Sequence, residues 1–329
     1  MKKICVIGAG AWGTALAQNL ANAGHDVLIW ARETEVVESI KSKHENSLFL
    51  KDVRLNEMIK ATHNLNDTED CDLFFLMTPA QHVRATIENF KTILDEKPFV
   101  IGSKGIELET GSLLSDVVEE LLPHATFGFL SGPTFASEVA RGLPCAVTLA
   151  MNNQTVGKEI VEFIGSRTLR TYLTTDIIGV QIGGSVKNVI AIACGVVEGR
   201  KMGESARCAL ITRGLAEMAR LAKGMGANKE TLMGMCGVGD LMLTCSSMQS
   251  RNFSFGYALG EGKTVEEVLG ERIAVTEGFH TAKALRTMAK NNAIDMPISR
   301  AVYDFISENI ELEDIFEKLL DRPLRLESI

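Results

Sequence analysis

The first half of the chain alternates short apolar runs with stretches of helical periodicity. The apolar runs are rich in β-branched and aromatic residues: KICVIGAG, DVLIWAR, DLFFLMTP, PFVIGSKG, TFGFLSGP and CAVTLAM. Helical stretches, for example residues 13–23 and 81–94, separate several of them. Continuous apolar strands that alternate with helices are typical of a parallel sheet covered on both faces. The first half is therefore predicted to be an α/β domain.

From about residue 180 the pattern indicates helices only. The segments ARCALITRGLAEMARLAKGMG and TAKALRTMAKNN repeat apolar residues at helical spacing, and no clear strand pattern follows them. A length of 329 residues is enough for two domains. We predict an α/β domain over residues 1–180 and an all-α domain over residues 181–329, with the boundary between Asp176 and Gly184.

Composition and charge narrow the class of protein. Hydrophobic residues make up 46% and charged residues 23% of the chain, as in ordinary globular proteins. A net charge of −8 argues against binding to nucleic acid or an anionic membrane surface. No apolar run reaches the ~20 residues of a membrane span, and the apolar start of the chain leads into a glycine motif, which favours a strand over a signal peptide.

Cysteine and histidine usage argues against disulfides and metal sites. The seven cysteines are odd in number and contain no C-x-x-C pair, and most lie in apolar stretches. Such cysteines are typical of reduced core residues in a cytoplasmic protein. The six histidines never occur at the spacing of metal ligands. We predict a cytoplasmic protein without a structural metal.

The first predicted strand runs directly into a glycine motif that opens a helix, Gly8-Ala9-Gly10-Ala11-Trp12-Gly13. In a strand–turn–helix context, G-x-G-x-x-G is typical of dinucleotide binding. Gly8 permits the tight turn, Gly10 lets the backbone approach a pyrophosphate, and Gly13 allows close helix–strand packing. The helix N-terminus offers free N–H groups to the anion. The alternative is a glycine turn that binds nothing.

The end of the second predicted strand bears on the choice of dinucleotide. NAD sites usually carry an acidic residue about 20 positions after the first glycine, where it holds the ribose hydroxyls. This chain has Arg32 at that place, and a guanidinium can pair with a 2′-phosphate. NADP(H) is therefore favoured, and NAD(H) remains possible because Glu33 follows at once and can serve a ribose.

One lysine interrupts an apolar, small-residue stretch, GGSVKNVIAIACG, at residues 183–195. Lys187 stands at the head of a predicted buried helix over 188–195, whose same-face positions are Ala191, Cys194 and Gly195. A lysine at a core boundary can simply extend its ammonium to water. The small residues instead suit close approach of a ligand or of another helix. Buried lysines have lowered pKa values, which suits proton transfer to a carbonyl oxygen.

Seven motifs then occur together in order: GAGAWGTALA, SKGIE, SGPTFASEVARGLP, VKNVIAIACG, ALITRGLAEM, GVGDLMLTC and SRNFSFG. This set, spread over nearly the whole chain, resembles the bacterial NAD(P)-dependent glycerol-3-phosphate dehydrogenase family. The resemblance implies a Rossmann-type domain followed by a helical domain, and often a homodimer. It also implies reversible reduction of dihydroxyacetone phosphate to sn-glycerol 3-phosphate, a precursor of glycerophospholipids.

The resemblance assigns roles to individual positions. Lys187 matches the family's proton donor and acceptor. The positions that match substrate-binding residues are Lys104, Gly132, Thr134, Asp240, Ser250, Arg251 and Asn252. Those that match cofactor contacts are Gly8, Gly10, Ala11, Trp12, Gly13, Arg32, Lys104, Ala136, Arg251, Val275 and Glu277. As a site residue, Asp240 is also placed to pair with Lys187; otherwise it is a turn or helix-capping aspartate.

Some positions depart from the family's pattern. Ala11 stands where serine is common, TPAQ at residues 78–81 replaces VPSQ, and Phe49 replaces a tyrosine. These differences bear on single cofactor contacts and leave the reaction unchanged. Two alternatives stay open: another dehydrogenase of the same architecture, of the β-hydroxyacid type, and, from a different class, a non-catalytic NADP(H)-sensing protein. A purely structural Rossmann protein would bind no dinucleotide at all.

Overall fold

The computed structural model describes residues 2–270, 276–308 and 310–315, and these residues form two units. The first contains residues up to Ser103 together with Ser115–Ile177. The second contains Lys104–Leu114 and the described residues from Ile178 onward. The predicted first domain, residues 1–180, thus differs from the first unit of the structure, which does not include Lys104–Leu114. This segment belongs to the second unit because Ile106 and Leu113, bridged to each other, are buried in that unit's core.

The first unit is built on a sheet of eight described strands. The described strands of the unit are β1 (Lys3–Ile7), β2 (Asp26–Trp30), β3 (Glu45–Asn46), β4 (Leu50–Arg54), β5 (Ile59–Thr62), β6 (Leu73–Leu76), β7 (Phe99–Ile101), β8 (Phe127–Ser131), β9 (Cys145–Met151) and β10 (Leu169–Thr174). Strands β3 and β4 form a separate two-stranded hairpin outside the main sheet. The order in the sheet is β10-β9-β8-β7-β6-β1-β2-β5. All six apolar runs became strands, and β1 lies at the point where the strand order reverses.

The sheet is parallel except at one pair. Strand β9 runs antiparallel to β8, with Leu130 opposite Leu149, whereas β10 is again parallel to β9. The prediction of a parallel sheet was wrong at β9. The helix between β8 and β9, α6 (Ala136–Ala140), has five residues and spans only about 7.5 Å. It is too short to return the chain to the opposite end of the sheet, so β9 starts at the end where β8 finishes.

Helices of the first unit bury their apolar faces against this sheet. Besides α6, they are α1 (Ala11–Asn22), α2 (Thr34–Lys43), α3 (Val83–Asn89), α4 (Lys91–Glu96), α5 (Leu114–Leu121) and α7 (Gln154–Ile164). The core between strands and helices includes Val6, Leu16, Ile29, Phe75 and Leu149, all fully buried. Because the central strands are covered on both faces, they carry continuous apolar residues instead of an alternating pattern.

Apart from the segment Lys104–Leu114, the regular elements in the described part of the second unit are helices, as predicted. They are α8 (Ile177–Gly199), α9 (Glu204–Gly224), α10 (Lys229–Leu232), α11 (Asp240–Thr244), α12 (Arg251–Gly260), α13 (Val265–Gly270), α14 (Glu277–Asn291) and α15 (Pro297–Ser307). A π-helical turn, Met235–Gly239, leads into α11. Buried residues of α8, α9, α12, α14 and α15 share one apolar core.

Helix α8 is the central helix of this unit. It starts ten residues before Lys187, so the prediction that Lys187 heads the helix was wrong. Lys187 instead lies mid-helix, because the preceding residues 177–186 are themselves almost all buried and helical. By length and composition alone α8 could cross a membrane, but 83% of its most apolar window is buried inside the protein. It is therefore a core helix.

Candidate active site

Two lysine ammonium groups of the second unit meet at one carboxylate, that of Asp240. The Lys187 ammonium, on α8, donates a hydrogen bond to Asp240 Oδ1, and the Lys104 ammonium donates to Asp240 Oδ2 over 2.7 Å. Lys187 Nζ also donates to Thr244 Oγ1, at 2.9 Å. Asp240 is 1% exposed and Lys187 5% exposed. Sequence analysis named the two lysines and the aspartate, and the hypothesised pairing of Lys187 with Asp240 is present.

Local structure explains how these residues meet. Asp240 is the first residue of α11, directly after the glycine-rich π-helical turn. That turn packs on α8 at Gly183, where a Cβ would lie 2.4 Å from the carbonyl oxygen of Cys236. A side chain at Gly183 would force the turn away from α8 and Asp240 away from Lys187. Lys104 reaches the same carboxylate from the segment Lys104–Leu114, which Ile106 and Leu113 anchor.

Burial dominates the electrostatics of Lys187. Desolvation is the largest cause and lowers its pKa, the charge of Asp240 raises it, and the charge of Lys104 lowers it; together they take the pKa from 10.5 to about 7. Burial also tends to raise the pKa of Asp240, but the two ammonium groups outweigh burial and the pKa is lowered. Near neutral pH, Asp240 is therefore a carboxylate and Lys187 exchanges its proton readily.

Thr244 belongs to this cluster and was missed by sequence analysis. Its hydroxyl accepts from Lys187 and lies 3.3 Å from Asp240 Oδ1. The signal was present in the sequence, since residues four apart on a helix are neighbours and Thr244 is four residues after Asp240. Recognising it required knowing that α11 starts at Asp240.

The run Ser250-Arg251-Asn252 lies at the start of α12. Ser250 caps the helix, its hydroxyl accepting from the N–H of Phe253 over 3.2 Å. The Asn252 amide donates to Asn188 Oδ1 and accepts from the N–H of Gly278, both at 2.9 Å. Asn252 thereby joins α12 to α8 and α14. Arg251 is exposed and experiences the charge of Glu277.

The bonded asparagine pair places two candidate groups near each other. Lys187 directly precedes Asn188 and Arg251 directly precedes Asn252, so the candidate proton donor and the candidate phosphate ligand flank one 2.9 Å hydrogen bond. Among the described residues of the second unit, Lys104, Lys187, Asp240, Asn252, Arg251 and Glu277 thus form one connected group. Val275 lies outside the described residues, and Glu277 begins α14.

The glycine motif of the first unit has the geometry of a dinucleotide cradle. Gly8 has φ +108°, which favours glycine, and a Cβ at Gly13 would lie 2.1 Å from the Gly8 carbonyl oxygen. A Cβ at Gly10 would meet nothing within 4 Å, so the backbone there is open to a ligand. Helix α1 begins at Ala11 without a side-chain cap or an acidic first turn. Its free N–H groups and dipole suit a pyrophosphate.

The other predicted cofactor contacts of the first unit surround this motif or follow neighbouring strands. The indole N–H of Trp12 has no hydrogen-bond partner and lies 3.2 Å from where a Cβ of Gly102, just after β7, would be. Arg32 follows β2, is largely exposed, and forms an ion pair of 3.2 Å with Glu33. The residues present fit a dinucleotide, by the open backbone at Gly10 and the uncapped start of α1.

Gly132, Thr134 and Ala136 lie together after β8. Gly132 packs on the backbone of β9, where a Cβ would lie 2.7 Å from Val147 Cα. The Thr134 hydroxyl is 3.4 Å from the Gly132 carbonyl oxygen, and Ala136 is the first residue of α6. Among the described residues no cluster of three or more histidine, cysteine or acidic side chains could hold a metal ion.

Comparison with known proteins identifies the family. Residues 3–157 match the NAD-dependent glycerol-3-phosphate dehydrogenase N-terminus, and residues 176–317 match its C-terminus. The glycerol-3-phosphate dehydrogenase (NAD(P)+) of Parvibaculum lavamentivorans is 51% identical over 328 residues, covering 99% of this chain and 98% of that protein. The enzyme of the same name from Maricaulis maris is 48% identical with the same coverage.

A solved structure agrees with the sequence relatives. The crystal structure of glycerol-3-phosphate dehydrogenase from Coxiella burnetii has a TM-score of 0.94 and 37% identity, covering 98% of this chain and 99% of that one. The family models for both halves of the chain, the full-length relatives and the solved structure therefore indicate the same family. The chain belongs to the NAD-dependent glycerol-3-phosphate dehydrogenase family.

Proposed function

We propose that this chain transfers hydride reversibly between NAD(P)H and dihydroxyacetone phosphate, giving sn-glycerol 3-phosphate, with Lys187 as the general acid and base. The observation that carries the proposal is the buried Lys187 ammonium, which Asp240 and Thr244 hold in place and whose pKa is lowered to about 7, chiefly by desolvation. A lysine in this state releases and recaptures a proton near neutral pH, which a ketone–alcohol interconversion requires.

In the reductive direction, Lys187 donates its proton to the carbonyl oxygen of the substrate as negative charge grows there. A nicotinamide cofactor held at the glycine motif Gly8–Gly13 would supply the hydride in this direction and accept it in the other. In the oxidative direction, the neutral Lys187 amine removes the hydroxyl proton. One ketone, one hydride from the cofactor and one proton from Lys187 give one alcohol, so the reaction balances and a single side chain suffices for the proton transfer.

Asp240 and Lys104 set the protonation of Lys187 in opposite senses. The Asp240 carboxylate favours the ammonium and orients it through Oδ1, while Lys104 occupies Oδ2 and disfavours the ammonium. Thr244 accepts a second hydrogen bond, which leaves the third N–H of Nζ for the substrate oxygen. Together these contacts leave Lys187 partly protonated near neutral pH, so it can donate its proton and take one back.

The substrate phosphate is proposed to lie at the start of α12. Arg251 supplies a guanidinium, which suits bidentate phosphate binding, and Ser250 and Asn252 complete the set together with Gly132 and Thr134. Because the Asn252 amide already bonds Asn188 and the N–H of Gly278, it has one N–H left for a substrate oxygen.

The dinucleotide is proposed to bind at the glycine motif, in contact with Gly8, Gly10, Ala11, Trp12 and Gly13. Further contacts come from Lys104, Ala136, Arg251, Val275 and Glu277. The guanidinium of Arg32 favours NADP(H) through the 2′-phosphate, and NAD(H) use remains compatible with Glu33. The enzyme is further proposed to work as a cytoplasmic homodimer that supplies glycerophospholipid synthesis.

Oxidation of NADPH, followed at 340 nm, tests the activity. We expect turnover with dihydroxyacetone phosphate and far weaker turnover with unphosphorylated dihydroxyacetone or small keto acids, and the NADH series measures cofactor preference. A preference for carboxylate-bearing keto acids would indicate the β-hydroxyacid-type dehydrogenase instead. Tight NADPH binding without oxidation by any of these ketones would indicate a sensing protein and would refute the proposal.

A further inference from the structure

A fully buried asparagine outside the glycine motif is bonded to the backbone of the motif. Asn46, which is 0% exposed, is the last residue of β3 in the two-stranded hairpin. Its side-chain N–H groups donate to the carbonyl oxygen of Ala9 over 2.7 Å and to Thr14 Oγ1 over 2.8 Å. Its Oδ1 accepts from the N–H of Phe49, at 3.0 Å. Asn46 therefore ties the hairpin both to the turn of the motif and to α1.

The partners of Asn46 fix the orientation of its amide. A carbonyl oxygen only accepts hydrogen bonds and a backbone N–H only donates them, so Nδ2 faces Ala9 and Oδ1 faces Phe49. The Thr14 hydroxyl, which is also fully buried, donates to the same Ala9 carbonyl oxygen over 3.2 Å. Two donors from different elements, the hairpin and α1, thus hold one backbone oxygen of the motif inside the first unit.

Holding the Ala9 carbonyl also orients the N–H of the next residue. A trans peptide group is planar, so its C=O and N–H point in opposite directions, and no described peptide bond is cis. Because the Ala9 oxygen is directed inward to Asn46, the N–H of Gly10 is directed the opposite way. This N–H bonds no other group among the described residues, and a Cβ at Gly10 would meet nothing within 4 Å. The Gly10 N–H is therefore available to a ligand.

We propose that Asn46 is a positioning residue for the dinucleotide, which holds the Ala9 carbonyl inward and so keeps the Gly10 N–H directed at the pyrophosphate. Without the Asn46 amide, the peptide group between Ala9 and Gly10 can rotate, which turns a carbonyl oxygen instead of an N–H toward the anion. Asn46 itself does not contact the cofactor in this role. The proposal rests on the proposed binding of NAD(P)H at the glycine motif.

Asn46→Leu removes both donors and keeps a side chain of similar volume. We expect the Kd for NADPH, measured by fluorescence titration, to rise about tenfold, as for the loss of one hydrogen bond to a charged group. Steady-state kinetics should show a similar rise in KM for NADPH. The kcat should stay within about twofold of normal, because Asn46 touches none of the groups proposed to act on the triose. An unchanged Kd in folded Asn46→Leu would overturn the proposal.

Gln18→Leu is the matched control. Gln18 is 7% exposed, lies one turn after Thr14 on α1, and also joins α1 to the chain at the end of the hairpin. Its hydrogen-bond partners, the N–H of Asn56 and the carbonyl of Arg54, lie outside the glycine motif. Gln18→Leu should lower the free energy of unfolding and leave the Kd for NADPH unchanged. Equal rises of the Kd in Gln18→Leu and Asn46→Leu would show a general effect of hairpin attachment and would overturn the proposal.

Substitutions of Thr14 decide the matter if Asn46→Leu does not fold. Thr14→Val keeps the shape of threonine and removes the hydroxyl, which is the second donor to the Ala9 carbonyl. Its Kd for NADPH should rise, and by less than in Asn46→Leu, because the Asn46 amide still holds Ala9. Thr14→Ser keeps the hydroxyl and should bind NADPH more tightly than Thr14→Val. Equal affinities of the two Thr14 variants would then count against the proposal.

The NMR amide resonance of Gly10 gives a readout without turnover. In protein labelled with ¹⁵N-glycine, the resonance that is missing in Gly10→Ala belongs to Gly10. At equal NADPH occupancy, this resonance should shift strongly in the unchanged protein and in Gln18→Leu, and less in Asn46→Leu. Equal shifts in all three proteins would overturn the proposal.

The same measurement distinguishes failure of this proposal from failure of the proposed function. A Gly10 shift that Asn46→Leu weakens, in a protein that reduces no triose phosphate, would support the role of Asn46 while refuting the proposed reaction. If neither NADPH nor NADH shifts the Gly10 resonance of the unchanged protein, the glycine motif binds no dinucleotide, and both the cofactor site and the role of Asn46 are refuted.

Discussion

The glycine motif of the first unit and the lysine–aspartate cluster of the second show two ways of building a ligand-binding region. At the motif, the contacts come from backbone: Gly10 is open, and Gly13 packs directly on the carbonyl of Gly8. At the cluster, they come from charged side chains that Asp240 joins. Adding a side chain would disrupt the glycine motif, whereas removing a charged group would disrupt the lysine–aspartate cluster.

The two regions also differ in their energetic requirements. Backbone N–H groups at the start of α1 stay polar in any sequence, so the motif needs only small residues and a helix. The cluster buries the charges of Lys187 and Asp240 and partly buries that of Lys104. A buried charge is tolerated only while its partners and hydrogen bonds persist. Substitutions at the cluster should therefore affect stability and chemistry together, whereas a well-chosen substitution at the motif should affect binding alone.

Lys187→Met should have the largest effect on turnover. Methionine keeps the apolar stem and removes the proton donor, while Lys104 remains to neutralise Asp240. We expect kcat for dihydroxyacetone phosphate reduction to fall about 10³-fold, with NADPH affinity nearly unchanged. Steady-state kinetics and fluorescence titration with NADPH measure the two quantities. Lys223→Met, on an exposed face of α9, is the control, and kcat within tenfold of normal in Lys187→Met would contradict the acid–base assignment.

Asp240→Asn should lower both stability and turnover. The amide leaves the buried Lys187 ammonium without its carboxylate and also removes the carboxylate that Lys104 contacts, which costs about 3–5 kcal/mol in the free energy of unfolding. Because the carboxylate raises the pKa of Lys187, its loss should lower that pKa further and reduce kcat for ketone reduction at neutral pH. Chemical denaturation and the pH profile of kcat measure the two effects.

The sign of the pH dependence sharpens the Asp240→Asn prediction. The pKa of Asp240 is lowered in the folded state, so its stabilising contribution is full above the ordinary aspartate pKa and is lost as pH falls through the folded value. The stability difference between the two proteins should therefore shrink in acid. Asp304→Asn, which removes a largely exposed ion pair with Arg286, should cost less than about 1 kcal/mol. Equal losses of unfolding free energy in Asp240→Asn and Asp304→Asn would contradict the prediction that Asp240 stabilises buried charge.

Sequence patterns predicted most of the first unit because its fold depends on local apolar runs. All six predicted strands are present, and the strands that were missed are short or lie at an edge of the sheet, such as β5 and β10. Residues of β10 are half exposed, so their pattern resembles that of a loop. The antiparallel direction of β9 was not visible either, because direction depends on the length of the connecting helix and not on the strand's own residues.

For the second unit, the sequence predicted helices and named candidate site residues, but it predicted few of the contacts between them. The small residues near Lys187 fitted either a ligand or a helix, and the structure shows a helix: a Cβ at Gly195 would lie 2.1 Å from the Phe253 carbonyl oxygen of α12. Lys104 is 136 positions from Asp240 in the chain, and no periodicity links them. Family resemblance named both residues, but their meeting at one carboxylate follows from tertiary packing.

Gly10→Ala should separate binding from folding at the motif. A Cβ at Gly10 meets nothing within 4 Å, so we expect an unchanged free energy of unfolding. The added methyl group enters the space left for the pyrophosphate, so the Kd for NADPH should rise about tenfold or more. Gly270→Ala, also open within 4 Å but distant in sequence, is the control. Unchanged NADPH affinity in Gly10→Ala would argue against dinucleotide binding at this loop.

Arg32→Ala should have the smallest effect and should act on one cofactor only. The guanidinium is 76% exposed and already pairs with Glu33, so a bond to a 2′-phosphate is partly screened. We expect the KM for NADPH to rise about fivefold and that for NADH to change little. Glu33→Gln removes the competing carboxylate, so it should lower the KM for NADPH. An equal rise in KM for NADPH and NADH in Arg32→Ala would mean that Arg32 stacks on the adenine, which both cofactors share, and does not bind the 2′-phosphate.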